Sequence, residues 1–354
     1  MPKGGERVKS LIDFSRLVNP LGMPETVRSA LAAGVQNGLA EPLDDDFSDL
    51  REMIGMRHRA AVSQIAVASA EEELFSLLAA ASGAKHALVP LPCPPVYERA
   101  LKKAGVSMVP LRLSPKHNFR LQPGDLKDAL IGCDLLLMGN PAFPSGALLP
   151  PGGLLEELDE WVARGGWIMI DESQLDFTYG GIVNSVWSGI RRVPRAAVIR
   201  SFTSFLSLSV CPLCYAVGGE AWVSEARARQ FRPAVTPLAS CLASPLESLL
   251  GFRTETVDCI TELRNRLIAR LRRISGLRPL PGDANWVLCA LERDDLTVAD
   301  LAALLYRRGF IIEPCIDGRY FTLALRPTQD LDRFIRVARE ILMRRKDYQK
   351  LLPL

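Results

Sequence analysis

The sequence predicts a doubly wound α/β domain followed by a smaller α+β domain. Short apolar runs alternate with helical patterns from about residue 60 to residue 240, and most of those runs are apolar without interruption. Uninterrupted apolar runs are typical of strands that are covered on both faces, as in a mostly parallel sheet. A long amphipathic stretch after Pro245 separates this region from a mixed C-terminal part. The repeated strand–helix–strand order favours a sheet with helices on both of its faces.

Seven apolar runs are predicted to form the strands of this sheet. They are Ile65–Ser69, His86–Leu91, Val106–Leu113, Asp134–Asn140, Trp167–Asp171, Ala196–Phe202 and Cys214–Gly218. Four helical patterns lie between these strands. They are Glu71–Ser82, Pro95–Ala104, Leu126–Ile131 and Leu154–Arg164. Each helix connects two consecutive strands, which is the connection that parallel strands need.

The C-terminal third is predicted to form the smaller domain. Apolar residues recur at three- and four-residue steps from Leu246 to about Ser275, which indicates one long amphipathic helix. The elements predicted after it are the strands Asn285–Leu291, Ile311–Pro314 and Tyr320–Leu325 and the helices Thr297–Arg308 and Gln329–Arg345. We therefore divide the chain into an N-terminal arm (residues 1–35), a large domain (36–245) and a small domain (246–354).

Composition limits the classes of function. Of the 354 residues, 43 are Lys or Arg and 40 are Asp or Glu, so the net charge of +3 gives no sign of a nucleic-acid or membrane-surface protein. The absence of an apolar run of about 18 residues predicts no membrane span. An N-terminus without the apolar core of a signal peptide predicts a cytoplasmic protein. Cys211 and Cys214 form a lone C-x-x-C, which we interpret as packing residues, with a redox or metal role left open.

Three segments carry a resemblance to a known family. Asn140–Gly146 is similar to N-P-x-N-P-T-G, Asp171-Glu172 stands where that family has D-E, and Arg200–Tyr215 aligns without a gap with R-S-L-T-K-F-F-A-L-P-G-L-R-L-G-Y. The chain thereby resembles the fold-type I pyridoxal-phosphate (PLP) aminotransferases, in particular histidinol-phosphate aminotransferase and threonine-phosphate decarboxylase. The resemblance implies a three-layer sandwich with a mostly parallel seven-stranded sheet, a small α+β C-terminal domain, and a dimer.

The resemblance also shows which cofactor groups have changed. The lysine that forms the Schiff base in the family is Ser204 here, and no lysine occurs between Lys127 and Lys346. A serine hydroxyl cannot form an imine with an aldehyde. The asparagine and the tyrosine that hold the phenolic oxygen of the cofactor correspond to Phe143 and Gln174. The family's covalent chemistry therefore has no nucleophile at its usual position.

The anchors for phosphate, ring and carboxylate differ as well. The family's glycine-rich phosphate turn reads Ala68-Ser69-Ala70-Glu71, so an acid would lie beside a dianion at a helix N-terminus. The phosphate arginine corresponds to Pro212, the ring-stacking aromatic to Pro94, and the substrate-carboxylate arginine to Thr322. Arg326, four residues further along the strand and on the same face, is predicted as a solvated arginine at the strand end, with a reach partway to the carboxylate position left open.

We therefore predict a family member that has lost PLP chemistry and needs no PLP. It would bind a small molecule or a protein partner, as a homodimer or as a heterodimer with an active relative. Asp171 and Asn140 are vestigial candidates for cofactor binding. The residues predicted to line the cleft are Ser69, Gln174, Ser201, Thr203, Ser204 and Tyr215.

Two alternatives stay open. One is a PLP enzyme that holds its cofactor non-covalently and acts on a phosphorylated amino acid, as an aminotransferase or a decarboxylase. The other is a PLP-independent enzyme that uses Asp171 with Ser204 or Ser201. We expect no histidine to activate those hydroxyls. His58, His86 and His117 are each predicted at surface or strand-edge positions, and no metal site is predicted.

Overall fold

A computed structural model describes residues 11–36, 44–149, 158, 161–315 and 318–343. The predicted helix Leu154–Arg164 lies largely outside these residues, and so do the outer parts of the N-terminal arm and of the C-terminal tail. Within the described residues, no helix combines the length and the apolar character needed to cross a lipid bilayer.

The large domain is built on the predicted seven-stranded sheet. Its strands are β2 (Ile65–Ala68), β3 (His86–Leu91), β4 (Ser107–Arg112), β5 (Leu135–Gly139), β6 (Trp167–Asp171), β7 (Ala196–Ser201) and β8 (Cys214–Gly218). They lie in the order β2-β8-β7-β6-β5-β3-β4, and only β8 runs against its neighbours. All seven predicted strands are confirmed to within one residue at each end. The mostly parallel sheet follows from their apolar sequences, because such strands are stable only when both faces are covered.

Helices cover the two faces of this sheet. Those of the large domain are α1 (Glu25–Gln36), α2 (Ser48–His58), α3 (Glu71–Ser82), α4 (Pro95–Lys103), α5 (Asp125–Ala129), α6 (Trp187–Ile190), α7 (Glu220–Ala228) and α8 (Ala243–Glu247). Short 3₁₀ turns occur at Val62–Gln64, Pro115–His117, Leu175–Phe177, Gly181–Asn184 and Pro237–Leu242. Helices α3, α4 and α7 pack on the face that carries Ala68 and Cys214, whereas Val67 and Tyr215 face a second core on the other side.

The small domain is an antiparallel sheet with helices, as predicted. Its elements are α9 (Leu250–Leu271), β9 (Leu277–Pro279), β10 (Trp286–Leu291), α10 (Val298–Arg307), β11 (Phe310–Ile311), β12 (Glu313–Pro314), β13 (Tyr320–Ala324) and α11 (Thr328–Met343). The order of the sheet is β12-β13-β10-β9. Thr297 caps α10, since its hydroxyl accepts the N–H of Asp300.

Two predicted elements of the small domain are divided in the structure. The run Ile311–Pro314 is not one strand: β11 pairs with the N-terminal strand β1 (Ile12–Asp13), whereas β12 pairs with β13. The long helix begins at Leu250 rather than at Leu246, because α8 ends as a separate helix at Glu247. Both differences come from pairing and packing with distant segments.

The strand ends position the candidate site. Strands β5, β6 and β7 end at Gly139, Asp171 and Ser201, and the antiparallel strand β8 begins at Cys214 on the same edge of the sheet. Open α/β sheets bind their ligands at this carboxyl edge. Because side chains alternate along a strand, Ser201 and Cys214 face α3 while Arg200 and Tyr215 face the opposite core.

Candidate functional site

Hydroxyl groups and a thiol meet where β2, β7 and β8 lie side by side. The Sγ atom of Cys214 lies 3.4 Å from the Ser201 Oγ and 3.6 Å from the Thr203 Oγ1. The Thr203 N–H donates to the Ser201 Oγ at 3.2 Å. Cys214 pairs with Ala68 across the sheet, which places Ser69 one residue beyond this pair. The fold therefore brings Ser69, Ser201 and Thr203 to the same edge of the sheet. Ser201 is fully buried, as Cys214 is, so the prediction that Ser201 lines the cleft is wrong.

A carboxylate is also present at this point. Glu71 is the first residue of α3, and its carboxylate lies close enough to Cys214 for its charge to act on the thiol. Burial and this nearby charge raise the pKa of Cys214 well above its usual range, so the thiol stays protonated and is a poor nucleophile. Glu71 therefore adds a negative charge to the helix terminus at which the family resemblance expects the cofactor phosphate.

Asp171 keeps an acidic group at the end of β6. Its Oδ2 accepts the Tyr97 hydroxyl at 2.8 Å and its Oδ1 accepts the Ser173 N–H at 2.9 Å. Burial raises the pKa of Asp171, its hydrogen bonds with Ser173 and Tyr97 oppose that rise, and the Glu71 charge adds to it. Asp171 is a half-buried acid, and both of its oxygens already accept hydrogen bonds from the protein.

Asn140 organises the loop that follows β5. It is completely buried, its Nδ2 donates to the Asn184 carbonyl at 3.1 Å and to the Glu172 Oε1 at 3.3 Å, and its Oδ1 accepts the Leu149 N–H at 3.0 Å. A cofactor atom would have to displace one of these bonds. The side chain therefore holds the loop in place and presents no free group to the cleft.

The loop after Asn140 and the turn after β6 contact the small domain. The Gln174 Oε1 accepts the Asn285 Nδ2 at 3.2 Å, and the Trp286 Nε1 donates to the Pro144 carbonyl at 2.9 Å. The rings of Phe143 and Trp286 lie 6.2 Å apart. By resemblance, Phe143 and Gln174 correspond to groups that hold the phenolic oxygen of PLP. Here both contact the small domain.

Ser204 presents a free hydroxyl. Its backbone carbonyl accepts the Asn19 N–H at 3.1 Å, but its side chain has no hydrogen bond among the described residues. Thr322, at the position of the carboxylate arginine, is buried. Arg326 is not the solvated arginine that the sequence suggested, because it is half-buried and its Nη2 donates to the Asp13 carbonyl at 2.6 Å.

The predictions for Tyr215 and His58 are wrong. Tyr215 is fully buried and its hydroxyl lies 2.9 Å from the His58 Nε2, so it does not line the cleft. Its neighbour Cys214 points to the cleft side, and consecutive strand residues point to opposite faces. His58 lies in the core at the end of α2, with 5% of its surface exposed. Burial and the charges of Arg200 and Arg57 lower its pKa well below the usual range.

A buried charge network, which the sequence analysis did not identify, surrounds this pair. Arg200 donates from Nη1 to the Glu172 Oε2 at 3.1 Å and from Nη2 to the Asp176 Oδ2 at 2.8 Å. Arg57 donates to the Asp176 Oδ1 at 3.0 Å, and the Arg253 Nη2 lies 3.4 Å from the same oxygen. Arg200 lies inside the apolar run Ala196–Phe202, and this position could have indicated the network from sequence. An arginine in a buried strand needs acidic partners, because a charge is buried only when it is paired.

The charges of this network fix its protonation. Burial alone would raise the pKa of Asp176, but the guanidiniums of Arg200, Arg57 and Arg253 hold it far below its usual range. Burial raises the pKa of Glu172, and Arg200 partly offsets that rise. Burial alone would lower the pKa of Arg200. The charges of Asp176, Tyr215 and Glu172 outweigh this effect and raise the pKa above its usual value, so Arg200 stays charged. The network is a structural ion cluster on the side of the sheet away from Ser201.

The residues at this edge do not fit PLP. All five described lysines, which are Lys85, Lys102, Lys103, Lys116 and Lys127, have exposed side chains, and none of them stands at a strand end of the cleft. Pro212 offers no N–H to a phosphate. Glu71 adds a negative charge to the first turn of α3, where the family resemblance expects the phosphate, and such a charge repels a dianion.

Comparisons with known proteins agree with the fold. A family model described as aminotransferase class I and II matches residues 12–337. The threonine-phosphate decarboxylase of Salmonella typhimurium is 27% identical over 341 residues, which cover 94% of this chain and 91% of the relative. A histidinol-phosphate aminotransferase of Archaeoglobus fulgidus is 25% identical over 344 residues, or 94% of each chain.

Solved structures of low sequence identity share the same fold. The histidinol-phosphate aminotransferase of Clostridium acetobutylicum superposes with a TM-score of 0.86 at 24% identity, covering 94% of this chain and 99% of that one. The L-threonine-O-3-phosphate decarboxylase of Porphyromonas gingivalis gives a TM-score of 0.80 at 19% identity, with 94% and 100% covered.

Proposed function

Because the chain belongs to the aminotransferase class I and II family and carries Ser204 and Glu71 at its cleft, we propose that it works without PLP. It binds a different small molecule, or a protein partner, in place of the family's covalent chemistry. The observation that carries this proposal is the negative charge of Glu71 in the first turn of α3, close to Cys214. At about 4–5 Å, a carboxylate and a phosphate repel each other by on the order of a few kcal/mol at intermediate dielectric.

The same cleft is poorly equipped for a PLP-independent hydrolysis. Ser201 and Thr203 bond to Cys214 and to backbone groups, and the nearest buried histidine, His58, lies across the sheet on Tyr215. Without an adjacent base, a serine hydroxyl is a weak nucleophile near neutral pH. Ser201 is also fully buried, so its hydroxyl serves as a hydrogen-bonding group within the protein.

A second candidate function is supported by the relatives. Their names specify decarboxylation of threonine phosphate and transamination of histidinol phosphate, and their coverage extends over nearly the whole chain. By resemblance, Asp171, at the end of β6, corresponds to the acid that pairs with the cofactor ring nitrogen. In this alternative, the protein is an enzyme for a phosphorylated amino acid that holds PLP non-covalently.

A partner chain forms part of the proposal. Several large apolar side chains are exposed, and the most exposed are Phe231, Tyr179, Val183, Leu250 and Val210. In this proposal, some of these side chains lie in the interface with the partner, because such interfaces bury exposed apolar surface. We expect a homodimer, or a heterodimer with an active relative, in sedimentation-velocity measurements. The eight free cysteines fit a reducing, cytoplasmic environment.

Turnover separates the two candidate functions. The purified chain is incubated with PLP and either threonine phosphate or histidinol phosphate plus 2-oxoglutarate, beside a relative that retains the lysine as a positive control. We expect no release of carbon dioxide and no transamination above the level of free PLP. PLP-dependent turnover by a homogeneous sample, lost in the Asp171→Asn variant, would establish the alternative instead.

A further inference from the structure

A cavity of about 290 Å³ lies beside the cleft, between the end of β3 and the loop after β5. Its walls are mostly apolar and include Pro92, Pro94, Leu121, Met138, Phe143 and Leu149. A second cavity of about 600 Å³ shares Pro92, Cys93, Leu113 and Phe143 with it, so the two adjoin. Volumes of this size suit a small organic ligand.

The polar groups of the smaller cavity are few, and most are already used. The Tyr97 hydroxyl donates to Asp171, and the Gln122 Nε2 donates to the backbone carbonyls of Arg120 and Leu121. Burial raises the pKa of the Cys93 thiol to about 11, so Cys93 adds no charge. The walls therefore offer methylene and ring surface rather than a hydrogen-bonding pattern.

Arg120 is the cation among the residues that line this cavity. Its Nη2 donates to the Pro281 carbonyl at 3.3 Å, and no carboxylate pairs with it within the described part of the chain. Its Nε is buried and has no acceptor. A guanidinium without a counter-charge at the wall of an apolar cavity is suited to a carboxylate.

We propose that this cavity binds a small amphipathic monocarboxylate, with the apolar chain against Phe143 and Leu121 and the carboxylate on Arg120. The proposal rests on the proposed function, because Phe143 and Pro94 stand where the family resemblance expects groups that hold PLP. Each methylene that the ligand buries against the apolar walls of the cavity adds to the binding free energy. The charge of Arg120 favours a carboxylate over a neutral head group.

Calorimetric titration tests the proposal with straight-chain carboxylates from acetate to octanoate and with the corresponding alcohols. We expect the affinity to rise roughly fourfold per methylene until the cavity is full. At equal chain length, the carboxylate should bind about tenfold more tightly than the alcohol. Arg120→Gln should remove this preference, whereas Arg191→Gln, at an exposed site, should leave it intact.

A second variant locates the ligand in the cavity. Leu121→Ala enlarges the cavity and should move the best-binding chain length upward by one or more methylenes. The proposal is overturned if neither carboxylates nor alcohols bind, if the optimum stays where it was in Leu121→Ala, or if Arg120→Gln and Arg191→Gln behave alike. PLP is absent from these titrations, so their failure leaves the proposed loss of PLP chemistry standing.

Discussion

On one face of the central sheet, Ser201 and Cys214 lie beside the Glu71 carboxylate; on the other face, Arg200 and Tyr215 belong to a buried network of charges. The two groups are neighbours along the same strands, one residue apart. Arg200 and Tyr215 match the family motif, as does Glu172 in the D-E pair. By resemblance, the lysine and the arginine of the same motif correspond to Ser204 and Pro212.

The difference between these faces reflects what each side does for the fold. Removing one member of a buried ion cluster leaves an uncompensated charge in a dry environment, and this costs stability whether or not a cofactor is bound. A half-buried cleft residue such as Ser204 has no hydrogen bond to lose among the described residues. Substitutions in the ion cluster are therefore limited by the stability of the fold, whereas a substitution of Ser204 removes no hydrogen bond within the described residues.

The largest expected effect is a loss of stability when the buried ion cluster is disrupted. Arg200→Met leaves Glu172 and Asp176 buried without their main partner, and we expect the free energy of unfolding to fall by about 3–5 kcal/mol. Arg195→Met is the matched control, because Arg195 is an exposed arginine directly before β7, the strand that contains Arg200. Its guanidinium stacks on Trp167 and should contribute less than about 1 kcal/mol to the free energy of unfolding. Urea unfolding measures both. Similar losses in the two variants would contradict the distinction between the faces.

The next effect appears in the pH dependence of stability. His58 is neutral in the folded chain because its pKa is lowered, but in the unfolded chain it takes up a proton below its ordinary pKa of 6.5. The unfolded state then binds more protons, so stability falls as the pH drops through 6.5. Between pH 6.5 and pH 5, this group should remove on the order of 2 kcal/mol.

The His58→Gln variant isolates this contribution. It removes the titrating group while Glu172, Asp176 and the other carboxylates titrate as before, so its unfolding free energy should vary less between pH 5 and pH 7 than that of the parent. Urea unfolding at several pH values gives the comparison. Parallel pH profiles for the two proteins would show that His58 is not held neutral in the folded state.

A smaller effect is expected on the affinity for PLP when Glu71 is replaced. Glu71→Gln removes the anion beside Cys214, and PLP should then bind at least about tenfold more tightly than to the parent chain. Glu72→Gln is the matched control on the same helix, because the Glu72 carboxylate is paired with Arg99 at 2.9 Å. Fluorescence titration with PLP measures both. An equal gain in the two variants would mean that Glu71 has no special position.

The smallest effect is expected at Ser204 itself. Ser204→Ala removes a half-buried hydroxyl that has no protein partner in the described residues, and the unfolding free energy should change by less than about 0.5 kcal/mol. Thermal and urea unfolding check this value. A loss of more than about 1 kcal/mol would show that Ser204 supports the fold, as an internal hydrogen-bonding group does.

The strands could be predicted from local sequence, whereas side-chain placement could not. Continuous apolar runs define strands such as β6 and β7 without knowledge of their partners. The burial of His58 depends on Tyr215, which is 157 residues away, and no periodicity in α2 reveals that contact. Arg57 and Arg253 join Asp176 from two distant helices. Such contacts are a property of the tertiary fold.

The candidate site was predictable in part, because strand ends and motif positions follow the chain order. Ser69, Ser201 and Thr203 come together at one edge as the motifs imply. Tyr215 was misplaced because the motif gives its position and not its face. The contact of Glu71 with Cys214 could not be foreseen either, since it depends on the pairing of β2 with β8.

The proposed loss of the cofactor site is tested most directly by an absorbance titration of the purified, unmodified chain with PLP, followed by exhaustive dialysis. We expect a spectrum equal to the sum of free PLP and protein at every ratio, and no PLP retained after dialysis. Saturable binding of one PLP per chain, with a shifted spectrum that survives dialysis, would contradict this account.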